Sequence, residues 1–241
     1  MANGTVGVAP GTTTLTLPNG QTVAISYWID DKLYSTVQIN NTQTSPVEAF
    51  TAGRSQPIPG GARDSTRVDR NVPRNGDSGL PQSWEMYVYG IGVKMVRVMR
   101  PPTGQSQPVL ADAPSAPGAL SDPPTLRTLF NFDRVTYLEF TYNGKVYTYG
   151  VMQDYPQGHG YYVFSTNSAF ELAQNGVPSP RDRNAMVLPI DLRENLGFKM
   201  SFQPEAPIVI NQAASDGNTD APLTFADVKT YLYGLLKRSV V

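Results

Sequence analysis

Residues 134–152 read RVTYLEFTYNGKVYTYGVM, and this stretch decides the fold class. Asn143-Gly144 separates two runs rich in Val, Thr, Tyr and Phe. Asn-Gly suits a type I′ turn, whose two central residues need positive φ, so the stretch predicts an antiparallel hairpin. With Asn143-Gly144 as a two-residue loop, Tyr142 faces Lys145, Phe140 faces Tyr147, Leu138 faces Tyr149 and Thr136 faces Val151. One face then holds Leu138, Phe140, Tyr142, Tyr147, Tyr149 and Val151. The other carries the more polar pairs Glu139–Thr148 and Thr141–Val146. This predicts a sheet buried on its first face and wetted on its second.

The rest of the 241 residues agrees with a β protein. Gly and Pro number 21 each, and charged residues are 16% of the chain, against about 25% in an average protein. Gly and Pro damage helix interiors, which excludes a helical bundle. A 40% hydrophobic content, with 13 Tyr, 9 Phe and 2 Trp, calls for a core and argues against disorder throughout. Further strands are expected at 12–17 and 21–29 around Asn19-Gly20, and at 32–39, 47–51, 84–99, 160–166, 186–192, 197–203, 208–211 and 227–241. Gly90 and Gly92 interrupt the longest run, a sign of a bulge or a close backbone approach. Short helices are expected at 125–130 and at 168–174, the latter stopped by Asn175-Gly176. Many short strands without long alternating helices disfavour a parallel sheet and fit a sandwich or barrel.

Three segments stand apart. Residues 1–11 are small and uncharged and read as a flexible arm. Residues 53–81 hold five arginines and three aspartates among scattered Pro and Gly, a long excursion of a kind that usually has a function. Residues 101–124 carry seven prolines and only two charges, the mark of a surface loop with polyproline character. Residues 12–241 then form a single domain with insertions at about 53–81 and 101–124.

Several chemistries are poorly served. The net charge is −1, so no basic surplus favours nucleic acid, although a local basic patch is compatible with that balance. There is no cysteine and a single histidine, His159, which makes a zinc site a poor candidate. No cofactor is expected. The N-terminus lacks a signal-peptide pattern, and no apolar run approaches ~18 residues, so no transmembrane segment is expected. The GDSG at 76–79 resembles the nucleophile motif of trypsin-like proteases. His159 follows Ser78 rather than preceding it, however, and Leu80 stands where that family has glycine, so a polar turn is the better reading. Asp154 and His159 read as a loop between strands, and Asp216 to Asp220 as a solvated loop without the spacing of a calcium loop. No pair of the 20 acids stands out for acid–base work, and the chain is not expected to be an enzyme.

Arg54, Arg63, Arg67, Arg70 and Arg74 are the leading charge feature. They suit intersubunit contacts with acids on a neighbouring chain. A solvated loop with local pairs to Asp64 and Asp69 is the competing reading, and a grip on phosphate is a third.

The stretch MVLPIDLRENLGFKMSFQPEAPIVI at 186–210 and DVKTYLYGLLKRSVV at 227–241 resemble the C-terminal strands of jelly-roll coat proteins of tailless icosahedral bacteriophages. The features that carry the resemblance are the step Arg193-Glu194-Asn195, the strand from Phe198 to Phe202, and the ending Gly234, Leu235, Leu236, Arg238, Val240. More loosely, an aromatic strand at 25–29, an Arg/Asp/Asn segment at 66–71, Leu80-Pro81 and the long run at 84–99 follow the same order. The resemblance implies an all-β chain: a single jelly-roll β-sandwich of two facing antiparallel sheets, with long loop insertions and short helices. It also implies a structural virion protein. This would be a capsid subunit made in the host cytoplasm that self-assembles, with copies of itself and other capsid proteins, into an icosahedral shell. The alternative is a carbohydrate-binding or receptor-binding β-sandwich module of a phage, using aromatics such as Trp84 or Tyr161.

Overall fold

The computed structural model describes residues 13–17, 20–51, 56–61, 64–72, 79–99, 121–122, 126–156, 158–167, 170–178, 184–194, 196–208, 210 and 225–237. Its strands are β1 (Thr14–Thr16), β2 (Thr22–Ala24), β3 (Trp28–Asn40), β4 (Val47–Ala49), β5 (Glu85–Met99), β6 (Ser121–Asp122), β7 (Thr136–Tyr142), β8 (Lys145–Gly150), β9 (Gly158–Asn167), β10 (Phe170–Pro178), β11 (Asn184–Leu192), β12 (Phe198–Pro204) and β13 (Phe225–Lys237). Helix α1 (Leu126–Val135) and 3₁₀ turns at Ile25–Tyr27 and Met152–Asp154 join them. The arm at 1–11 and most of the 101–124 insertion lie outside the described residues.

Two sheets carry the fold. One is ordered β11-β5-β13-β3, with β6 beside β5; the other is ordered β4-β12-β7-β8. Every pairing in them is antiparallel, and the pairs nest along the chain: β3 with β13, β4 with β12, β5 with β11, β7 with β8. The path is that of one long hairpin whose tip is the β7–β8 turn. Successive pairs from tip to ends fall in alternate sheets.

Alternation puts one face of each sheet inward. Leu33, Val37 and Ile39 of β3, Val228, Leu232 and Leu236 of β13, Leu138, Phe140 and Tyr142 of β7, and Phe198, Met200 and Phe202 of β12 share one buried cluster with Leu129 and Phe132 of α1. The two sheets thus form a sandwich around a single core. Burying each such side chain contributes about 1.5–3 kcal/mol. In β5 the inward residues are Met86 and Val88, then Ile91, Val93 and Met95, then Val98. The phase changes twice, where β5 shifts register against β13 at Tyr89 and Val96. Each extra residue is a bulge that lets a long strand keep its apolar side inward. A second cluster forms on the outside of this sheet, where Leu15 and Leu17 at the β1–β2 hairpin cover Trp28 and Tyr87.

The Asn143-Gly144 turn forms as expected, with φ of 48° and 73°, and Tyr142–Lys145 and Thr141–Val146 pair as read. Beyond them Phe140 pairs with Thr148, not Tyr147. The inserted residue turns Tyr147 and Tyr149 outward, to 43% and 67% exposure, so that strand does not supply its tyrosines to the core. The expected helix at 168–174 is also corrected. Residues 170–178 are strand β10, paired with β9, and Asn175 lies inside the ladder opposite Tyr161. Cross-strand pairing there outweighs the helix preference of Glu171, Leu172 and Ala173. Thirteen strands are described, of which β6 and β10 answer to no expected strand. At the strand expected over 208–211, the described residues Ile208 and Ile210 are not in a strand.

Candidate interaction surface

The described residues 56–61 and 64–72 do not hang free. They run along the outer edge of β3, the edge strand of its sheet. The Gln38 N–H donates to the Pro59 carbonyl at 2.9 Å. The Tyr34 N–H donates to Asn71 Oδ1 at 2.8 Å, and Asn71 Nδ2 donates to the Lys32 carbonyl at 2.6 Å. Ser35 and Arg70 form a β-bridge. An edge strand's exposed backbone groups invite pairing with other chains, and this segment covers them. Its tight turn at 66–69 is built by Asp69 Oδ2, which accepts from the Thr66 N–H and hydroxyl at 2.9 Å each. The turn is tied to the sheet by the Thr36 hydroxyl, which donates to the Asp69 carbonyl at 2.9 Å.

This placement sorts the arginines. Arg54, Arg63 and Arg74 lie outside the described residues. Arg67 is exposed at the tip of the turn. Arg70 is 2% exposed, so its side chain points into the subunit and has no surface to offer a neighbour. It was grouped with the others by charge alone, and burial separates it.

A different surface was not anticipated. Register aligns three rows across β3, β13 and β5: Thr36, Lys229 and Lys94; then Tyr34, Tyr231 and Gly92; then Lys32, Tyr233 and Gly90. These positions alternate with the core residues, so they face outward. The row above holds Gln38, Asp227 and Arg97 and meets residues 59–61 at Gln38. The 66–69 turn reaches over the β3 side of the trough, where the Tyr34 hydroxyl donates to the Arg67 carbonyl at 2.7 Å and Lys229 Nζ to the Val68 carbonyl. The rows below, with Leu235, Tyr87 and Trp28, lie under the β1–β2 hairpin. A trough is left between these two covers.

Its floor is aromatic and its rim cationic. The Tyr231 and Tyr233 ring centroids are 5.9 Å apart with planes 7° from parallel, and Tyr34 lies 6.0 Å from Tyr231. Lys229 Nζ stands 4.9 Å from the centre of the Tyr34 ring, and Lys32 Nζ 5.8 Å from that of Tyr231. Burial pushes the ammonium pKa of Lys229 and of Lys94 down. The sequence signal was the same-face alternation Lys-x-Tyr at 32–34 opposite Lys-x-Tyr-x-Tyr at 229–233, legible only once the two strands are paired.

Other clusters hold structure together. Arg193 forms ion pairs of 2.5 Å with both Glu85 and Asp191, and its N–H donates to the Tyr142 hydroxyl at 3.0 Å. Glu194 accepts the Ser83 N–H. Burial, aided by Asp191, pushes the neighbouring Tyr87 hydroxyl up to about 12. The Arg193-Glu194 step therefore staples the connection between the sheets. Asp133, at the end of α1, accepts the Gln153 N–H at 3.0 Å. Its carboxyl is pushed up to about 7, chiefly by burial and also by the Asp154 carboxylate.

The remaining sequence candidates are not assembled into a catalytic group. Asp154 accepts the Val151 N–H at 2.9 Å and closes a turn. Backbone positions alone are described for His159 and Tyr161 in β9, while Ser78 and 216–220 lie outside the described residues. Trp84 is packed against the core. Among the described residues no group of three or more acids and histidines is placed to hold a metal, and no helix is long and apolar enough to cross a membrane. Comparison with protein-family models, characterised proteins and solved structures finds no match.

Proposed function

We propose that the sandwich is a single jelly roll and that the chain is a structural virion protein. In this reading it is a capsid subunit that assembles, with copies of itself and other capsid proteins, into an icosahedral shell. The observation that carries the reading is the nesting of β3·β13, β4·β12, β5·β11 and β7·β8 in alternate sheets. A hairpin path whose strand pairs alternate between two sheets supports that reading, since jelly rolls are wound this way and serve viral capsids and lectins among others. The resemblance of 186–210 and 227–241 to phage coat strands supports the capsid choice. The packing of Trp84 against the core takes one of the two aromatics from the glycan-binding alternative. The mechanism is binding without catalysis, through many modest interfaces repeated by symmetry. Exposed Arg67 and the outward tyrosines of β8 are surfaces open to such contacts.

Negative-stain microscopy of the purified chain, alone and with particles from producing cells, tests this. Shells or regular capsomers are expected. A chain that stays monomeric at high concentration and is absent from particles overturns the reading.

A further inference from the structure

We infer that the trough on β3, β13 and β5 binds single-stranded nucleic acid without sequence preference, its bases on Tyr34, Tyr231 and Tyr233 and its phosphates on Lys32, Lys94 and Lys229. The argument starts from charge. The three rows of the trough hold three lysines and no acid. Of the nearby carboxylates, Asp227 is engaged by Arg97 and Gln38 and Asp69 by Thr66, while the exposed Asp30 lies one row below Lys32. Lys94 sits directly across from Lys229, whose ammonium donates to the Val68 carbonyl, and burial weakens the charged form of both lysines. A bound anion between them offsets that cost.

The rings supply the second half. Aromatic side chains on a sheet, ringed by cations, stack bases of any sequence because every base has a π-face. Opposite Tyr231 and Tyr233, β5 carries Gly92 and Gly90, which bring no side chain of their own against the rings. Three rows and three strands span about 14 Å by 10 Å, room for a few nucleotides of single strand. In a duplex the bases are already stacked on one another and closed to the tyrosines. A neutral glycan would use the rings but leave the lysines idle. An acidic peptide would use the lysines but not the ring faces. The overall charge of −1 makes the site a local patch on each subunit, and the inference holds whether or not the chain builds a shell.

The test is fluorescence anisotropy of the full chain with labelled oligothymidylate. Binding is expected, with a log–log salt slope of about −2 for three phosphates, or a loss of about 20-fold between about 50 and 200 mM salt. A duplex of matched sequence binds more weakly. Tyr231→Leu and Tyr233→Leu, which keep apolar bulk, each weaken binding about 10-fold. Lys32→Gln, at an exposed site, makes the slope shallower by about 0.7 and keeps the test open should a tyrosine variant misfold. The inference is overturned by no binding at low salt, by folded tyrosine variants that bind like wild type, or by polyglutamate displacing the oligonucleotide as well as unlabelled oligothymidylate does.

Discussion

Asp227, buried on β13, holds Arg97 of β5 with one carboxylate oxygen, 2.9 Å from Nε and 2.8 Å from Nη2. Its other oxygen accepts from Gln38 Nε2 of β3 at 3.0 Å. One carboxylate thus ties three strands at the head of the tyrosine trough. Asp227→Ala leaves the Gln38 amide and Arg97 guanidinium facing an apolar gap. Removing one partner of a buried pair costs several kcal/mol, and Arg97 is partly exposed, so a loss of about 2–3 kcal/mol is expected in urea unfolding. Asp227→Asn keeps an acceptor and costs less, about 1 kcal/mol. Equal stability of the alanine variant and wild type would show that the tie contributes nothing.

Arg67 and Arg70 are three residues apart and have opposite surroundings, exposed and 2% exposed. Arg67→Ala is expected to leave the melting temperature within error and to weaken self-association in sedimentation. Arg70→Ala opens a cavity beside the edge of β3 and lowers stability by about 2–4 kcal/mol in the isolated chain. Reversal of the two effects would return Arg70 to the surface and remove Arg67 from assembly.

Asp133 gives the chain a pH dependence of defined sign. Its folded carboxyl titrates near 7, above the ordinary value of about 3.9. Over the interval between those values the folded chain keeps a proton that the unfolded chain has released, so stability falls as pH rises through it and levels off above. Solvent reaches this partly buried carboxyl, which limits the loss to about 2 kcal/mol. Asp133→Asn cannot ionise and keeps an acceptor for the Gln153 N–H. Urea unfolding between about pH 5 and pH 7.5 should show wild type losing stability relative to the variant. Parallel curves would refute this assignment.

The β7–β8 hairpin shows where alternation ceases to inform. Asn143-Gly144 and the first two pairs were legible because the turn type sets them. The bulge at Tyr147 was not, because Val146, Tyr147 and Tyr149 suit a strand in either phase. By contrast, the two phase changes of β5 are written in Met86 and Val88, then Ile91, Val93 and Met95, then Val98, once a bulged strand is considered. Residues 170–178 misread as helix because Glu171, Leu172 and Ala173 favour one locally, and only the partner strand β9 overrides them. The tyrosine trough needed the longest inference. Its two halves, 32–34 and 229–233, are ordinary strand sequence apart and become a surface only through the β3–β13 register.

Gly234 and Gly144 are glycines for different reasons, and alanine separates them. A Cβ on Gly234 would run into the carbonyl of Tyr87 on β5, where β13 passes a bulge. The obstacle is backbone held in a central ladder, so it cannot rotate away as a side chain would. Gly144 has open space around it but a φ of 73°. Gly144→Ala therefore meets only the left-handed conformation, a cost of about 1 kcal/mol. Gly234→Ala must part β13 from β5 beneath the tyrosine trough, at about 3 kcal/mol or more. Thermal melts should rank wild type above Gly144→Ala and that well above Gly234→Ala. A Gly234→Ala chain as stable as wild type would mean that the two strands are not packed in this register.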